Sequence, residues 1–391
     1  MRSLRVVDAT RPIDVFEALR DALGGGGPAV VPREGVARAT DWPSADERVA
    51  QNVALVIETS GSTGRPKRVA LSADALLASA AASAGAMGGQ GQWLLALPAH
   101  YVAGAQVLVR SLAAETEPVP YGDGHFDPQR FADAAALLEH DYRYTSLVPV
   151  QLARLVEAAE GGAREVARAL RRFDGILVGG QALPPALRER AEAAGARILS
   201  TYGSSETAGG CVYSGVPIGT TVVREVDGLL EISGPSLAEG YLGDPDRTAA
   251  AFHEEGGARW YRTGDLGTVE DGRVTVLGRS DNVIISGGEK VLLDTVERVV
   301  HAVPGFAGAV VVAADDAQWG QVPVVVVAGA PEIGLDDLRV RVADQLGRAA
   351  APARIVTVTV MPRLSSGKPD RQAAARIAGV GGGAAVADTG T

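Results

Sequence analysis

The chain has 391 residues, of which 46% are hydrophobic and 21% are charged. This is the composition of a globular protein that can bury a core without disulfides or a structural metal. The formal net charge is −10, which argues against a protein that coats nucleic acid. Cys211 is the single cysteine, so no internal disulfide forms, and the five scattered histidines suggest no Cys/His zinc site. We find neither a signal peptide nor an apolar run of about 20 residues, so we expect a cytoplasmic protein without membrane insertion.

Short aliphatic runs alternate with longer helical patterns over the first half of the chain. The predicted strands are residues 54–59, 93–97, 145–148, 175–178 and 197–201. The predicted helices are residues 73–86, 128–139, 150–159 and 184–194. This alternation predicts an α/β fold with mixed, largely parallel sheets that helices cover on both faces.

The pattern changes twice further along the chain. After about residue 215, strands at 229–233 and 273–277 with Gly-rich turns indicate a small β-rich subdomain. From about residue 282, strands at 283–286, 309–313, 322–327 and 355–360 and helices at 294–302 and 335–349 indicate a compact α+β unit. We therefore expect an N-terminal domain at 1–280, a C-terminal domain at 281–378 and a disordered tail at 379–391.

A Gly-rich segment follows the first of these core strands. Residues 59–67 read TSGSTGRPK. Glycines let backbone N–H groups turn inward, and hydroxyls and an ammonium group add further donors. This is the chemistry of a triphosphate cradle, whose expected members are Thr59, Ser60, Gly61, Ser62, Thr63, Gly64 and Lys67. It is not a Walker A loop, because Pro66 and Arg68 stand where that loop needs Gly and Ser or Thr.

This segment resembles the phosphate-binding signature of the adenylate-forming enzymes, which include acyl-CoA synthetases, luciferases and peptide-synthetase adenylation domains. The resemblance covers roughly residues 54–376, although little of the chain precedes the Gly-rich segment. It implies a large N-terminal domain and a small C-terminal domain that rotates between two half-reactions. It also implies ATP, Mg²⁺ and CoA as cofactor and co-substrates.

A second motif, STYGSSET at residues 200–207, directly follows a predicted strand. Ligands of open α/β sheets bind at such strand ends. Tyr202 offers a flat face to a purine, and Gly203 allows close approach of the backbone. Ser205 can donate to a phosphate, and Glu206 can hold Mg²⁺. The resemblance implies the same roles, with Ser205 at a position where Thr is usual.

Three further matches complete the expected nucleotide site. Gly179 and Gly180, in GGQAL after another strand, resemble the loop whose backbone lines the adenine pocket. Asp265, in YRTGDL at residues 261–266, is expected to accept hydrogen bonds from both ribose hydroxyls. Arg279 resembles a second ribose or phosphate contact, and Asp281 matches the hinge about which the small domain turns.

Two motifs fall in the expected C-terminal domain. SGGEK at residues 286–290 resembles the stretch that lines the pantetheine tunnel, so Gly287 and Gly288 are expected to bind CoA. LSSGKPDR at residues 364–371 places Lys368 where the family has its adenylation lysine. A cation is needed there because a carboxylate attacks a triphosphate. We therefore expect Lys368, Lys67 and Glu206 to be the catalytic residues.

Residues 93–112, WLLALPAHYVAGAQVLVRSL, indicate which acid is activated. Their helical part is almost wholly apolar, yet it contains Arg110, and a buried arginine needs an anionic partner. The o-succinylbenzoate–CoA ligases of menaquinone biosynthesis have an Arg at this offset, and their substrate has a second carboxylate. We therefore expect Arg110, with Tyr101 and Ser204, to bind the acid. His100 and Tyr101 stand in the reverse of the family's aromatic–His order, which leaves the role of Tyr101 open.

Several alternatives remain at this point. The same chemistry could act on another aryl, fatty or amino acid, with CoA or a carrier protein as the acceptor. A nucleotide-binding protein with a decayed site is disfavoured by Lys67, Glu206, Asp265, Arg279 and Lys368 standing together. A P-loop phosphotransferase is disfavoured by the missing Gly-Lys-Ser/Thr order. The expected partners are small molecules, namely a carboxylic acid, ATP and CoA, without nucleic acid, and a homodimer is left open.

Overall fold

The computed structural model describes residues 1–35, 43–44, 47–59, 66–122, 124–363 and 369–380. The chain divides into two compact units. The first contains Met1–Arg224, Glu231–Thr263 and Val269–Val274, and the second contains Glu225–Leu230, Gly264–Thr268 and Thr275–Thr391. Within the described ranges, no helix has the length and apolar character needed to cross a membrane.

The secondary structure is numbered in chain order. The strands are β1 Arg2–Asp8, β2 Ala29–Arg33, β3 Arg48–Val49, β4 Val53–Thr59, β5 Lys67–Ser72, β6 Gln92–Leu95, β7 Val119–Pro120, β8 Arg143–Leu147, β9 Gly175–Val178, β10 Ile198–Ser204, β11 Gly209–Tyr213, β12 Val216–Pro217, β13 Val222–Val226, β14 Leu229–Ser233, β15 Gly240–Tyr241, β16 Phe252–Glu255, β17 Ala258–Glu270, β18 Arg273–Arg279, β19 Val283–Ser286, β20 Glu289–Leu292, β21 Val310–Asp316, β22 Gly320–Ala328 and β23 Arg354–Val358. The helices are α1 Pro12–Leu23, α2 Ala73–Met87, α3 Val102–Ala113, α4 Pro128–Ala136, α5 Pro149–Glu160, α6 Arg164–Arg172, α7 Pro185–Ala193, α8 Pro245–Ala251, α9 Leu293–His301, α10 Leu335–Leu346 and α11 Arg371–Val380.

Two mixed sheets form most of the first unit. One has the strand order β15-β5-β4-β2-β1-β3, and the other has the order β12-β11-β10-β9-β8-β6-β7. In the second of these, β7, β6, β8, β9 and β10 are parallel, whereas β11 and β12 are antiparallel additions at the edge. The prediction of mixed, largely parallel sheets is confirmed.

Local sequence explains where several helices begin and end. Ser72 caps α2, because its hydroxyl accepts a hydrogen bond from the backbone of Ala75, and Gly88 ends the same helix with φ +88°. Asp127 caps α4 in the same way, and Pro128 follows at the first helical position, where its missing N–H has no cost. The predicted helix at 128–139 therefore begins at the predicted residue but ends at Ala136.

The Gly-rich segment lies between two strands in the chain order. Strand β5 follows it and was not predicted, and α2 then begins at Ala73, the first residue of the helix predicted at 73–86. β5 pairs antiparallel with β4, with Thr59 opposite Lys67. A phosphate loop of the Walker type leads directly into a helix. This hairpin context therefore separates the segment from P-loop phosphotransferases on structural as well as sequence grounds.

The two remaining sheets involve the C-terminal half. The β13-β14-β17-β16 sheet, to which β18 is attached through β17, is formed by the strand-rich part of the chain after residue 215. The β20-β19-β22-β21 sheet, to which β23 adds parallel to β22, belongs to the second unit. Buried valines of β21 and β22 pack on one face against α9 and α10 and on the other against α11. This is the compact α+β unit that the sequence predicted.

Candidate active site

Lys67, Glu206 and Tyr241 lie together in the first unit. Lys67 opens β5, Tyr241 lies on β15, which pairs with β5, and Glu206 lies in the 3₁₀ turn Ser205–Thr207 after β10. The Tyr241 hydroxyl donates to Glu206 Oε1 over 2.8 Å, and Lys67 Nζ lies 3.8 Å from the same oxygen. The structure therefore brings two of the three predicted catalytic residues together.

Tyr241 is a residue that sequence reasoning missed. It is buried, and burial together with the neighbouring Glu206 charge raises its pKa, so the phenol stays protonated and serves as a donor. The Lys67 ammonium group lies 5.3 Å from the centre of its ring, within the range of a cation–π contact. A tyrosine in a two-residue strand carries no motif of its own. Only the β5–β15 pairing shows that it reaches the site.

The donor set around Glu206 suits a hard divalent cation. Glu206 is only 6% exposed, and Tyr241 fixes one of its carboxylate oxygens. No hydrogen bond from the residues that the structure describes goes to Oε2. A carboxylate with one available oxygen is the usual protein contribution to a Mg²⁺ ion that is otherwise held by phosphates and water. Glu206 therefore fits the Mg²⁺ role predicted for it.

The STYGSSET motif forms the end of β10 and the turn that follows. A Cβ atom at Gly203 would lie 2.1 Å from the carbonyl oxygen of Gly209, so only glycine lets β11 pair this closely with β10. Ser205 is buried. Thr207 fixes the turn, because its hydroxyl accepts from the Ser204 backbone over 2.9 Å and donates to the Gly209 carbonyl over 2.7 Å. The turn that carries Glu206 is thus held by hydrogen bonds on both sides.

Gly179 and Gly180 follow β9 and lie beside β10. A Cβ atom at Gly179 would lie 2.3 Å from the Thr201 hydroxyl, and Gly180 has φ +81°. The backbone conformation therefore favours glycine at position 180, and the Thr201 side chain leaves no room for a Cβ atom at position 179. Tyr202 is partly buried on β10. Contact of Tyr202, Gly179 and Gly180 with an adenine ring stays a prediction.

Arg110 is buried in the first unit, on α3. Arg110 is only 6% exposed, and its guanidinium lies 4.8 Å from the centre of the Trp93 ring. It donates to the Tyr213 hydroxyl over 3.4 Å, and that hydroxyl lies 2.8 Å from Ser83 Oγ. Within the described part of the chain, no carboxylate forms a salt bridge with Arg110. Arg110 is therefore buried as expected, and the described residues do not supply an anionic partner for its guanidinium.

His100 and Tyr101 lie at the start of α3. Their ring centres are 4.1 Å apart, and Tyr101 occupies the N-cap position with extended backbone. Burial lowers the pKa of His100, against a smaller opposite effect of Glu34. Binding of the acid by Tyr101 and Ser204 stays a prediction.

Cys211 lies on β11 and is 2% exposed. Burial raises the pKa of its thiol to about 12. A thiol of this kind is a poor nucleophile, because the thiolate is the reactive form. This agrees with a mechanism in which the protein supplies no nucleophile.

Some predicted site residues lie outside the described part of the chain. These are Ser60, Gly61, Ser62, Thr63, Gly64 and Lys368. Their neighbours Thr59 and Lys67 are paired across β4 and β5. Arg68 lies 3.5 Å from Glu58, and Glu58 also accepts two hydrogen bonds from Arg33. Arg68 therefore belongs to a structural ion-pair cluster near the end of β4 and the start of β5.

Asp265, Arg279 and Asp281 lie together in the second unit. Arg279 donates to Asp265 over 3.1 Å and to Asp281 over 3.3 Å. Burial lowers the pKa of Arg279, but the two carboxylates raise it by more, so the net pKa is raised and the guanidinium stays charged. The Asp294 carboxylate at the start of α9 accepts from Arg279 N and Asn282 Nδ2. Sequence reasoning missed Asp294, which fixes the segment that carries the predicted hinge.

Gly287 and Gly288 form the two-residue turn between β19 and β20. Their φ values are +58° and +87°, which a type I′ hairpin turn requires at both central positions. A Cβ atom at Gly287 would lie 2.5 Å from the Trp319 ring. The glycines thus have a structural reason, and their contact with CoA stays a prediction.

Glu231, His253 and Glu255 form another acidic group in the first unit, with ligand atoms within 4.8 Å of one another. Arginines already neutralise it. Arg224 donates to Glu231 over 2.6 Å and also bonds Glu255, and Arg262 lies 3.4 Å from Glu231. We therefore assign this group to the packing of the β-rich region and not to a metal.

Comparison with known proteins identifies the family of the chain. The family described as AMP-binding enzyme matches residues 29–225, and the AMP-binding enzyme C-terminal domain matches residues 295–368. A probable 2-succinylbenzoate–CoA ligase of Mycobacterium tuberculosis is 39% identical over 392 residues, which span 96% of this chain and 98% of that protein. The 2-succinylbenzoate–CoA ligase of Escherichia coli is 33% identical over 337 residues, spanning 81% and 67% of the two chains.

Solved structures give the same result. The o-succinylbenzoate coenzyme A synthetase of Bacillus subtilis, in complex with ATP and magnesium ion, has a TM-score of 0.71 and 27% identity. The match covers 82% of this chain and 69% of that chain. The amide bond synthetase McbA of Marinactinospora thermotolerans has a TM-score of 0.73 at 24% identity, over 96% of this chain and 80% of that one, and so shares the fold. From the family match, the relatives and the geometry around Glu206, the chain belongs to the AMP-binding enzymes, the adenylate-forming family.

Proposed function

We propose that this protein is a 2-succinylbenzoate–CoA ligase of menaquinone biosynthesis. It activates the acid with Mg·ATP to an acyl-adenylate with release of pyrophosphate, and then transfers the acyl group to CoA with release of AMP. The ligase chemistry follows from family membership. The choice of acid is supported by the relatives of that name and by one feature of the structure.

That feature is the buried Arg110. A guanidinium cannot lose its charge inside a protein, so it must find a partner when it is buried. Among the described residues it has the Trp93 face and one long hydrogen bond to Tyr213, but no carboxylate. 2-Succinylbenzoate has two carboxylates, one that is activated and one on the ring. The ring carboxylate supplies the anion that Arg110 lacks.

In the first half-reaction, the aliphatic carboxylate attacks the α-phosphorus of ATP and pyrophosphate leaves. Lys67 offers an ammonium group to the phosphates, beside the Glu206 carboxylate that Tyr241 holds in place. When bound to Glu206, Mg²⁺ offsets the repulsion between the phosphate oxygens and the incoming carboxylate. Lys368 adds a second cation at the reacting oxygens. Tyr202, Gly179 and Gly180 receive the adenine, and Asp265 and Arg279 receive the ribose.

In the second half-reaction, the CoA thiol attacks the acyl carbon and AMP leaves. We assign Gly287 and Gly288 to the CoA path and Asp281 to the hinge between domains 1–280 and 281–378. The two-residue turn supports the first assignment, since both of its residues are glycines and carry no side chains. The exposed Asp281, which is bound to Arg279 within a short 3₁₀ turn, supports the second.

The proposal extends to the setting of the reaction. The partners are the acid, ATP and CoA, with the reaction in the cytoplasm and the enzyme as a homodimer. Light scattering coupled to size-exclusion chromatography tests the assembly, because it measures the mass of the particle against the 40.1 kDa of one chain. A mass of one chain refutes the dimer without affecting the assigned chemistry.

The reaction is tested by mass spectrometry of the products. The protein is incubated with Mg·ATP, CoA and 2-succinylbenzoate, with benzoate, octanoate and an amino-acid mixture in parallel reactions. AMP and 2-succinylbenzoyl-CoA from the first acid alone is the expected result. AMP with another acid alone refutes the choice of substrate, and ADP in place of AMP refutes the chemistry.

A further inference from the structure

Gln106 is a buried amide whose hydrogen-bonding capacity is not used. It lies on α3 and is fully buried, with 0% exposure. Both its Nε2 and its Oε1 atoms lack a hydrogen-bond partner among the described residues. Buried polar groups are nearly always hydrogen-bonded, and an unmet one indicates a functional reason. An apolar side chain of similar size would suit this position better if packing were its only role.

Gln106 lies near the residues that are proposed to bind the acid. It precedes Arg110 by one helical turn, so both side chains lie on the same face of α3. The Cγ atom of Gln106 lies 3.3 Å from the position that a Cβ atom on Gly209 would occupy. Gly209 in turn pairs with Ser204 across β10 and β11. Arg110 instead reaches Tyr213 at the far end of β11. Gln106 thus lies near the turn between β10 and β11, which carries Glu206, whereas Arg110 lies near Tyr213, farther along β11.

The substrate has its polar groups in a matching order. From the activated carboxyl group, 2-succinylbenzoate continues through two methylene groups to a ketone and then to the ring with its carboxylate. If the ring carboxylate meets Arg110, the ketone falls between the reacting end and Arg110. The helix rises about 6 Å over the four residues from Gln106 to Arg110. This is close to the distance from the ketone oxygen to a guanidinium that contacts the ring carboxylate. Gln106 occupies the intermediate position.

We propose that Gln106 is a specificity-determining residue, whose amide N–H donates to the ketone oxygen of 2-succinylbenzoate. This inference rests on the proposed function, since it assumes that acid as substrate. Arg110 then reads the ring carboxylate and Gln106 reads the ketone. An acid that lacks the ketone leaves the buried amide without a partner, and such a site discriminates against that acid.

The experiment pairs two variants with two truncated acids. The variants are Gln106→Met, which keeps size without hydrogen bonding, and Arg110→Met as a matched control on the same helix face. The parent acid is 2-succinylbenzoate. The two truncated acids are 4-(2-carboxyphenyl)butanoate, which lacks the ketone, and 4-oxo-4-phenylbutanoate, which lacks the ring carboxylate. The measurements are kcat/KM for AMP release and, by calorimetry, the dissociation constant of each acid.

We expect Gln106→Met to lower kcat/KM for 2-succinylbenzoate about tenfold, mainly through KM, with a matching loss of affinity. On 4-(2-carboxyphenyl)butanoate it changes kcat/KM less than threefold. Arg110→Met shows the opposite selectivity, because its loss disappears with 4-oxo-4-phenylbutanoate. The melting temperature of ligand-free Gln106→Met equals or exceeds that of the wild type, since an unmet buried amide is removed.

Other outcomes overturn the inference. Equal losses of Gln106→Met on both acids that carry the ring carboxylate exclude a contact with the ketone. A loss that disappears only with 4-oxo-4-phenylbutanoate assigns Gln106 to the carboxylate instead. A lowered melting temperature of the ligand-free variant shows that the amide has a structural partner. If the wild type does not turn over 2-succinylbenzoate at all, the proposed function fails first, and that result is separate from these.

Discussion

Replacing Tyr241 with phenylalanine removes one hydroxyl group from the centre of the candidate site. The hydroxyl donates to the buried carboxylate of Glu206 over 2.8 Å. The ring itself stays, and it packs near Phe252, with ring centres 6.1 Å apart, so the substitution leaves no large cavity. We therefore expect the loss of one hydrogen bond to an acceptor that is taken out of water.

The magnitude follows from the two partners of Glu206. Hydrogen bonds to charged groups contribute about 1.5–3 kcal/mol to stability, against about 0.5–1.5 kcal/mol for neutral pairs. The other partner, Lys67, lies 3.8 Å away and its side chain is 32% exposed. Solvent screens such a pair, so its contribution is about 1 kcal/mol or less. Tyr241→Phe should thus reduce the free energy of unfolding more than Lys67→Met does.

Urea unfolding of the ligand-free protein measures this difference. We expect Tyr241→Phe to lose about 1.5–3 kcal/mol in the wild-type background and only about 0.5–1.5 kcal/mol in a Glu206→Gln background, where the acceptor is neutral. Lys67→Met should instead lose most of its pyrophosphate exchange while it unfolds nearly as the wild type does. Equal losses from Tyr241→Phe in both backgrounds, or none, would refute the assignment of Tyr241 as the group that holds Glu206.

Three further predictions follow from single residues. Cys211 in the native protein should resist iodoacetamide at pH 8 and react after denaturation, because a thiol with a pKa of about 12 has little thiolate; rapid native labelling would contradict its burial. Because the pKa of His100 is lowered in the folded protein, the unfolded chain binds more protons than the folded protein below about pH 6.5. When the pH is lowered from 7 to 5.5, the melting temperature should therefore fall less in His100→Gln than in the wild type. Equal falls in the two proteins would count against this. Asp265→Asn should raise KM for ATP about tenfold if the carboxylate accepts the ribose hydroxyls, and an unchanged KM would argue against that role.

The chemistry of this chain was readable from linear motifs. Each motif keeps its residues within a few positions of one another, as in STYGSSET around Glu206 and YRTGDL around Asp265. Their resemblance to the adenylate-forming enzymes predicted the family and the cosubstrates, and the alternation of strands and helices predicted the fold class; the comparisons bear these predictions out. The apolar context of Arg110 was sufficient to predict its burial.

Regular elements were predicted best where the local pattern was strong. The strands at 175–178, 229–233 and 283–286 have the predicted bounds. Strands β5 and β15 were missed. β15 has only two residues, which carry too little periodicity to separate a strand from a loop, and β5 begins at Lys67, inside the segment that was interpreted as a phosphate loop. Their existence depends on the neighbouring strand, which is a tertiary condition.

The sequence by itself determined which chemical groups this protein has, because motif, composition and capping act over short distances along the chain. Tertiary structure alone decided which of these groups meet. Tyr241 reaches Glu206 across 35 positions and Arg110 reaches Tyr213 across 103, and no local pattern encodes such a meeting. Tertiary structure also shows that the buried amide of Gln106 has no hydrogen-bond partner among the described residues, because this requires knowing its neighbours in the fold. Hydrogen bonds depend on distances of about 3 Å in space, and only the packed chain sets those distances.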